Sequence, residues 1–223
     1  MSYSSSLIDI TYPLVLDTSV LINLHACNHG ERILMAIPND IVLSEVVARE
    51  LEHETSRRNG EHRFLHNLLT GGIVTLATMA DAEYEIFHEL TSTALSLDDG
   101  EAATIAIGAA RNLMPVIDER RGRNCAGTRL KGRTPGWSVD LFLHPATKAV
   151  LGDQPAVEAL YLALRDGRMR IPSDSAESVI ALIGEQRAHD CTCLPGYKER
   201  CVGARNYTTE EGTAGFENQK ISE

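Results

Sequence analysis

Leu14-Val15-Leu16-Asp17-Thr18-Ser19-Val20-Leu21-Ile22 is the stretch whose reading decides the fold. Its first three residues form a short, strand-favouring apolar run with no polar alternation, which predicts a strand buried on both faces. Asp17 halts the run, two hydroxyl residues follow, and a periodic apolar segment resumes at Val20. Thr18 or Ser19 is suited to cap that segment as a helix. The layout places Asp17 at the carboxyl end of a central parallel strand, where open α/β sheets bind their ligands. An aspartate at such a junction can also be a helix cap and nothing more. Whether other acids recur in matching settings separates the two readings.

Outward from that stretch, apolar runs alternate with helical spacing. Helices are expected over 20–27 and 31–37, separated by Asn28-His29-Gly30 and closed by Pro38. A strand over 40–43 leads to Ser44, which caps a helix over 45–52. A polar, exposed connection is expected over 55–61. A helix over 64–69, a break at Gly71-Gly72, a strand over 73–76 and a helix over 81–95 come next. Asp98-Asp99-Gly100-Glu101 opens an alanine-rich helix reaching Arg111, and Pro115-Val116-Ile117-Asp118 is another apolar run that stops at an aspartate. A last strand over 139–143, an amphipathic helix over 155–165 and a final helix capped by Ser173-Asp174-Ser175 and running to 187 complete the pattern. Strands alternating with helices predict an α/β fold of three layers, α/β/α, around a central, mainly parallel sheet. Residues 1–188 are expected to form the domain, and 189–223 a polar, cysteine-containing, flexible tail.

Composition narrows the function. The chain has 223 residues, 43% of them hydrophobic, enough to bury a substantial core. Aromatic residues make up only 5%, little material for a base-stacking platform. A net charge of −10 argues against holding nucleic acid by bulk electrostatics, while leaving room for a local basic rim. No basic start with a long apolar run marks a secretory signal, and no segment is long enough to span a bilayer. Five cysteines without that context suit reduced thiols in a cytoplasm.

The acids do recur. Asp17 and Asp118 each close a short apolar strand, Glu50 lies in a helix that follows a strand, and Glu101 falls in the first turn of another helix. Carboxylates gathered without a cation repel and raise one another's pKa, so the set predicts a hard divalent ion. Mg2+ prefers oxygen ligands, keeps several waters and uses few protein carboxylates. Two such ions can stabilise the attacking and leaving oxygens of an in-line phosphoryl displacement. Plain alternatives stand beside each acid. Glu45 and Glu52 compete with Glu50, and Asp99 competes with Glu101, which would also complement a helix N-terminus. Asp118 also suits a simple turn. Arg120, Arg121, Arg123, Arg129, Lys131 and Arg133 follow Asp118 directly and form a natural surface for phosphates; a solvated, ion-paired loop is the alternative.

Four segments in order carry a resemblance: Val15-Leu16-Asp17-Thr18-Ser19-Val20-Leu21-Ile22, Leu43-Ser44-Glu45-Val46-Val47-Ala48-Arg49-Glu50-Leu51, Gly100-Glu101-Ala102-Ala103-Thr104-Ile105-Ala106 and Val116-Ile117-Asp118-Glu119-Arg120-Arg121-Gly122-Arg123. Over 14–186 the chain resembles a PIN-domain nuclease, closest to the toxins of bacterial toxin–antitoxin pairs. The resemblance implies that Asp17, Glu50, Glu101 and Asp118 are the catalytic, metal-holding acids, with Glu119 as a supporting carboxylate. Ser19 or Thr18 matches a hydroxyl position beside the first acid. Ser19, Arg120, Arg121 and Arg123 become the substrate-binding set. The implied activity is Mg2+- or Mn2+-dependent hydrolysis of RNA, with RNA as substrate, an antitoxin protein as partner, a homodimer as a further association, and no membrane. A PIN fold that binds or scaffolds without cutting is the alternative. A phosphoacceptor domain would want a second aspartate where Ser19 stands.

Two features depart from the family pattern. Asp140 and His144-Pro145 are atypical after Thr134-Pro135-Gly136-Trp137, which leaves the last strand open. His189, Cys191, Cys193 and Cys201 offer soft ligands for zinc, but Cys-x-Cys spacing is tighter than usual, so free thiols are favoured. Trp137 is expected to anchor packing rather than to stack on a base.

Overall fold

The computed structural model describes residues 3–92, 97–198 and 200. Along the chain run β1 (Leu14–Leu16), α1 (Thr18–Ala26), α2 (Gly30–Ala36), β2 (Ile41–Ser44), α3 (Glu45–Glu50), α4 (Glu54–Asn59), α5 (Glu61–Thr70) and β3 (Thr75–Ala77). Then come α6 (Asp81–Ser92), α7 (Asp99–Arg111), β4 (Met114–Val116), α8 (Arg120–Arg129), α9 (Ser138–Phe142), α10 (Pro145–Leu151) and α11 (Asp153–Arg165). A 3-10 turn at Ser173–Ser175 precedes α12 (Ala176–Ile183) and α13 (Glu185–Ala188).

The strands form one parallel sheet in the order β3-β2-β1-β4, so β1 is central as its unbroken apolar run requires. Its side chains alternate between two cores. Leu14 and Leu16 join the large cluster built from α1, α2, α5 and α9 to α12, while Val15 meets Ala103, Ala106 and Ile107 of α7 on the opposite face. The alternation makes the three α/β/α layers. The small side chains of α7 let that helix lie close on the sheet: a Cβ at Gly108 would come within 2.5 Å of Pro115. Strand order reverses beside β1, since β2 lies on one side and β4 on the other. The crevice at their carboxyl ends is where such sheets place ligands.

Four expectations change. Residues 139–143 form no strand; the last rung is an isolated parallel bridge from Val116 to Gly136, and α9 starts two residues later. Asp140 explains the turn to helix. Its carboxylate accepts from the backbone N–H of Trp137 and Ser6 and from the hydroxyls of Tyr3 and Ser6, a buried hub that folds the segment back on the N-terminus. The expected loop over 55–61 is mostly helix α4, ended by Gly60 at φ +91°. The final helix is broken at Gly184, φ +93°, and no side-chain cap bond is made at Ser175.

The boundary expected at 188/189 is not a packing boundary, because Cys191 and Leu194 are buried in the main core and Tyr161 donates to Asp190. The tail from 201 onward, and the end of the helix expected over 81–95, lie outside the described residues. No helix among the described residues is long and apolar enough to cross a membrane.

Candidate functional site

Asp17 leaves β1 with an extended backbone and caps α1. Its Oδ2 accepts from the Ser19 hydroxyl at 2.6 Å and from the Ser19 backbone N–H at 3.2 Å. The helix-cap reading is thus correct. Asp17 is buried, and desolvation pushes its pKa up to about 7, with Asp98 adding like-charge repulsion and the Ser19 bonds opposing.

Glu50 is the last residue of α3, a helix that Ser44 opens by accepting from Val47 N–H at 3.1 Å. Of the competing acids it is Glu50 that turns inward. Its Oε1 accepts from Gly100 N–H at 2.8 Å and its Oε2 from the Thr18 hydroxyl, tying α3 to α1 and α7. Glu45 instead receives the Thr78 hydroxyl, and Glu52 is exposed. A Cβ at Gly100 would fall 2.5 Å from Glu50 Oε2 and 2.8 Å from Thr18 Oγ1.

Glu101 stands in the first turn of α7, which Asp98 caps by accepting from Glu101 N–H at 2.8 Å. It is 4% exposed, and its Oε1 is buried with no hydrogen-bond partner. Burial first, then the charges of Asp98, Asp17 and Glu119, raise its pKa to about 8, with Arg121 pulling the other way. Gly122 of α8 lies against this carboxylate, where a Cβ would meet Oε1 at 2.5 Å. Asp98 and Asp99 are both exposed, and of the two it is Asp98 whose charge acts on Asp17, Glu50 and Glu101, while Asp99 acts on Glu50.

Asp118 lies two residues past β4. Its Oδ1 accepts from Ser138 N–H at 2.7 Å and its Oδ2 from the Asn23 amide at 2.8 Å. Burial lifts its pKa to about 6 against those bonds and the charge of Arg123. Asn23 and Ser138 were not expected: nothing local marks residues 95 and 20 positions from the acid they hold.

The four acids fall into two places: Asp17 and Glu101 lie near each other, with Glu50 joined to the residues beside them, Thr18 and Gly100, while Asp118 stands apart. Asp17 and Glu101 share Asp98 and each other's field, whereas Asp118 faces Asn23 and Ser138 from the adjoining cleft. That cleft, about 310 Å³, is lined by Ser19, Asn23, Asp118 and Glu119 and by Arg168 and Arg170.

The basic run divides. Arg120 and Arg121 are exposed at the start of α8, a helix rather than a loop. Arg123 is not a substrate ligand: it is buried and donates to the carbonyls of Ile117, Pro135 and Gly136, with its guanidinium 3.8 Å from the Trp137 ring centroid. Arg168 and Arg170, after α11, take the place at the rim. Arg170 pairs with Glu119.

A hard cation suits these donors. Asp17 and Glu101 are buried carboxylates in each other's field, with Glu101 Oε1 lacking any partner and both acids shifted towards neutrality. Among the described residues no group of three or more His, Cys, Asp or Glu is set to hold a metal ion as it stands. Mg2+ needs only one or two carboxylates, completing its shell with water and phosphate oxygens. The same finding covers His189, Cys191 and Cys193; Cys201 lies outside the described residues.

A family model described as a PIN domain matches residues 13–185. No curated protein matches the chain.

Proposed function

Because this chain belongs to the PIN-domain family, we propose that it is a Mg2+- or Mn2+-dependent endoribonuclease and the toxin component of a toxin–antitoxin pair. PIN domains are generally nucleases and typically use divalent metals. The observation that carries the reading is the buried pair Asp17 and Glu101, sharing one crevice with pKa values pushed up to about 7 and about 8. Acids held that way are stabilised by a cation.

Asp17 and Glu101 would hold the ion, with Glu50 beside them and Asp118 at the cleft side. Bound there, it would neutralise charge building up on the phosphate oxygens and make water a stronger nucleophile. The chain's own groups do the positioning. Ser19 fixes Asp17, Thr18 and Gly100 fix Glu50, and Asn23 with Ser138 fix Asp118. Arg120, Arg168 and Arg170 offer cations to the flanking phosphates of single-stranded RNA.

The second reading, a PIN fold that binds without cutting, draws on the lack of a ready three-acid group among the described residues and on Asp118 having both oxygens engaged. One experiment separates them. Purified protein should cleave single-stranded RNA with Mg2+ or Mn2+, and a chelator or Asp17→Asn should stop it. RNA binding without any cleavage at any metal concentration would decide for the second reading. For the toxin role, co-expressing the product of the neighbouring open reading frame should suppress cleavage; an unchanged rate would remove that part of the proposal.

A further inference from the structure

The cleft beside Asp118 does not end there. A second cleft of about 560 Å³ shares Asp118, Arg170 and Cys193 with it, so the two adjoin as one groove with Asp118 between them. Its size falls within the range of small-ligand sites. The walls of this outer half are chemically unlike. Arg120 and Arg170, both exposed, supply positive charge; Trp137 and Pro172, partly exposed, supply apolar surface, backed by the buried Ile171. Asp174 also lines the groove and is an acceptor that a base amino group can use. Cations and a ring in one lining match the phosphate and base that a nucleotide presents.

Trp137 is well held for such a part. As expected it anchors packing: the ring is half-buried against the main core with the Arg123 guanidinium over it, so what faces the groove is the part left uncovered, and the next residue's N–H is bonded to Asp118. The turn that positions Asp118 therefore also positions the indole. Arg170 is paired with Glu119, but their side chains are 52% and 41% exposed, so solvent screens the pair and a phosphate can replace the carboxylate.

We propose that this outer groove is a nucleotide subsite for single-stranded RNA, seating the base next to the cleaved bond against Trp137, Ile171 and Pro172 and its phosphate against Arg170 and Arg120. The assignment rests on the ribonuclease reading and adds to it the place where a base is seated. Bases stacked inside a duplex are not free to enter.

Trp137 is the chain's one tryptophan, so intrinsic emission reports on this subsite directly. The full chain is titrated in chelator, where nothing is cut, with a single-stranded oligoribonucleotide, with its duplex and with an acidic peptide. Saturable quenching by the single strand alone is expected, with Kd about tenfold weaker and a shallower salt dependence in Arg170→Gln. A labelled single strand that binds while tryptophan emission stays unchanged overturns the proposal, as does an unaltered Kd in Arg170→Gln. Quenching by the peptide and not by RNA assigns the groove to a protein instead. Quenching by RNA in a chain that cleaves nothing with metal leaves the subsite standing and ends the ribonuclease reading. Cleavage with a silent tryptophan does the opposite.

Discussion

At Arg123 and Asp118 the same local sequence holds two residues of opposite fate. Arg123 places its guanidinium among three carbonyls and over an indole, so truncation leaves buried acceptors without donors. Arg123→Ala should lose about 3 kcal/mol or more in denaturant unfolding. Arg121→Ala, at an exposed position, should change stability by less than about 0.5 kcal/mol. Equal losses would show that Arg123 is not the structural member of the run. Asp118 owes its aim to Asn23. Asn23→Ala should lower cleavage about tenfold or more through a misplaced carboxylate, and Asn23→Asp should do worse by adding a second buried charge beside it. Wild-type rates in both would detach Asp118 from the chemistry. Asp17 was legible from its strand–helix junction, whereas Asn23 was not, because a helix-face amide carries no sign of the acid it will meet.

Elements set the crevice by close approach. Helix α8 passes Glu101 at Gly122, and α7 passes Glu50 and Thr18 at Gly100. Gly122→Ala raises helix propensity by roughly 1 kcal/mol at a position with ordinary helical backbone. The new methyl would displace the Glu101 carboxylate, the far end of a flexible side chain that can move aside. The expected result is a thermal midpoint held or raised with cleavage reduced about tenfold or more. A variant as active as the parent would mean that Glu101 need not keep its place. The expectation of a strand over 139–143 failed at this scale. Val139, Leu141 and Phe142 suit a strand, but Asp140 draws four donors from distant and neighbouring chain, and those bonds select a helix.

For the whole molecule, the acid cluster links stability to pH and to metal. Folding raises the pKa of Asp118 to about 6, of Asp17 to about 7 and of Glu101 to about 8, burial being the first cause in each. A raised folded-state value means that the folded form holds the proton more tightly. Its stabilising contribution is complete below the unfolded carboxylate range near ~4 and is lost as pH rises through the folded values. Metal-free protein should therefore lose thermal stability between pH 5 and 8.5. Mg2+ or Mn2+ should restore it, more at pH 8.5 than at pH 5, by binding the ionised acids. Glu101→Gln should flatten the metal-free pH dependence. A metal-induced gain equal at both pH values would contradict a site built on these carboxylates. The sequence by itself determined the alternation of strand and helix, the central place of β1 and the junction at which Asp17 caps α1, because apolar periodicity and junction residues act over a few neighbouring positions. Only the tertiary structure decided that Arg123 is structural, that Arg168 and Arg170 edge the groove, and that Asn23 and Ser138 hold Asp118. Those roles depend on contacts between segments far apart along the chain, formed when the layers close over the sheet.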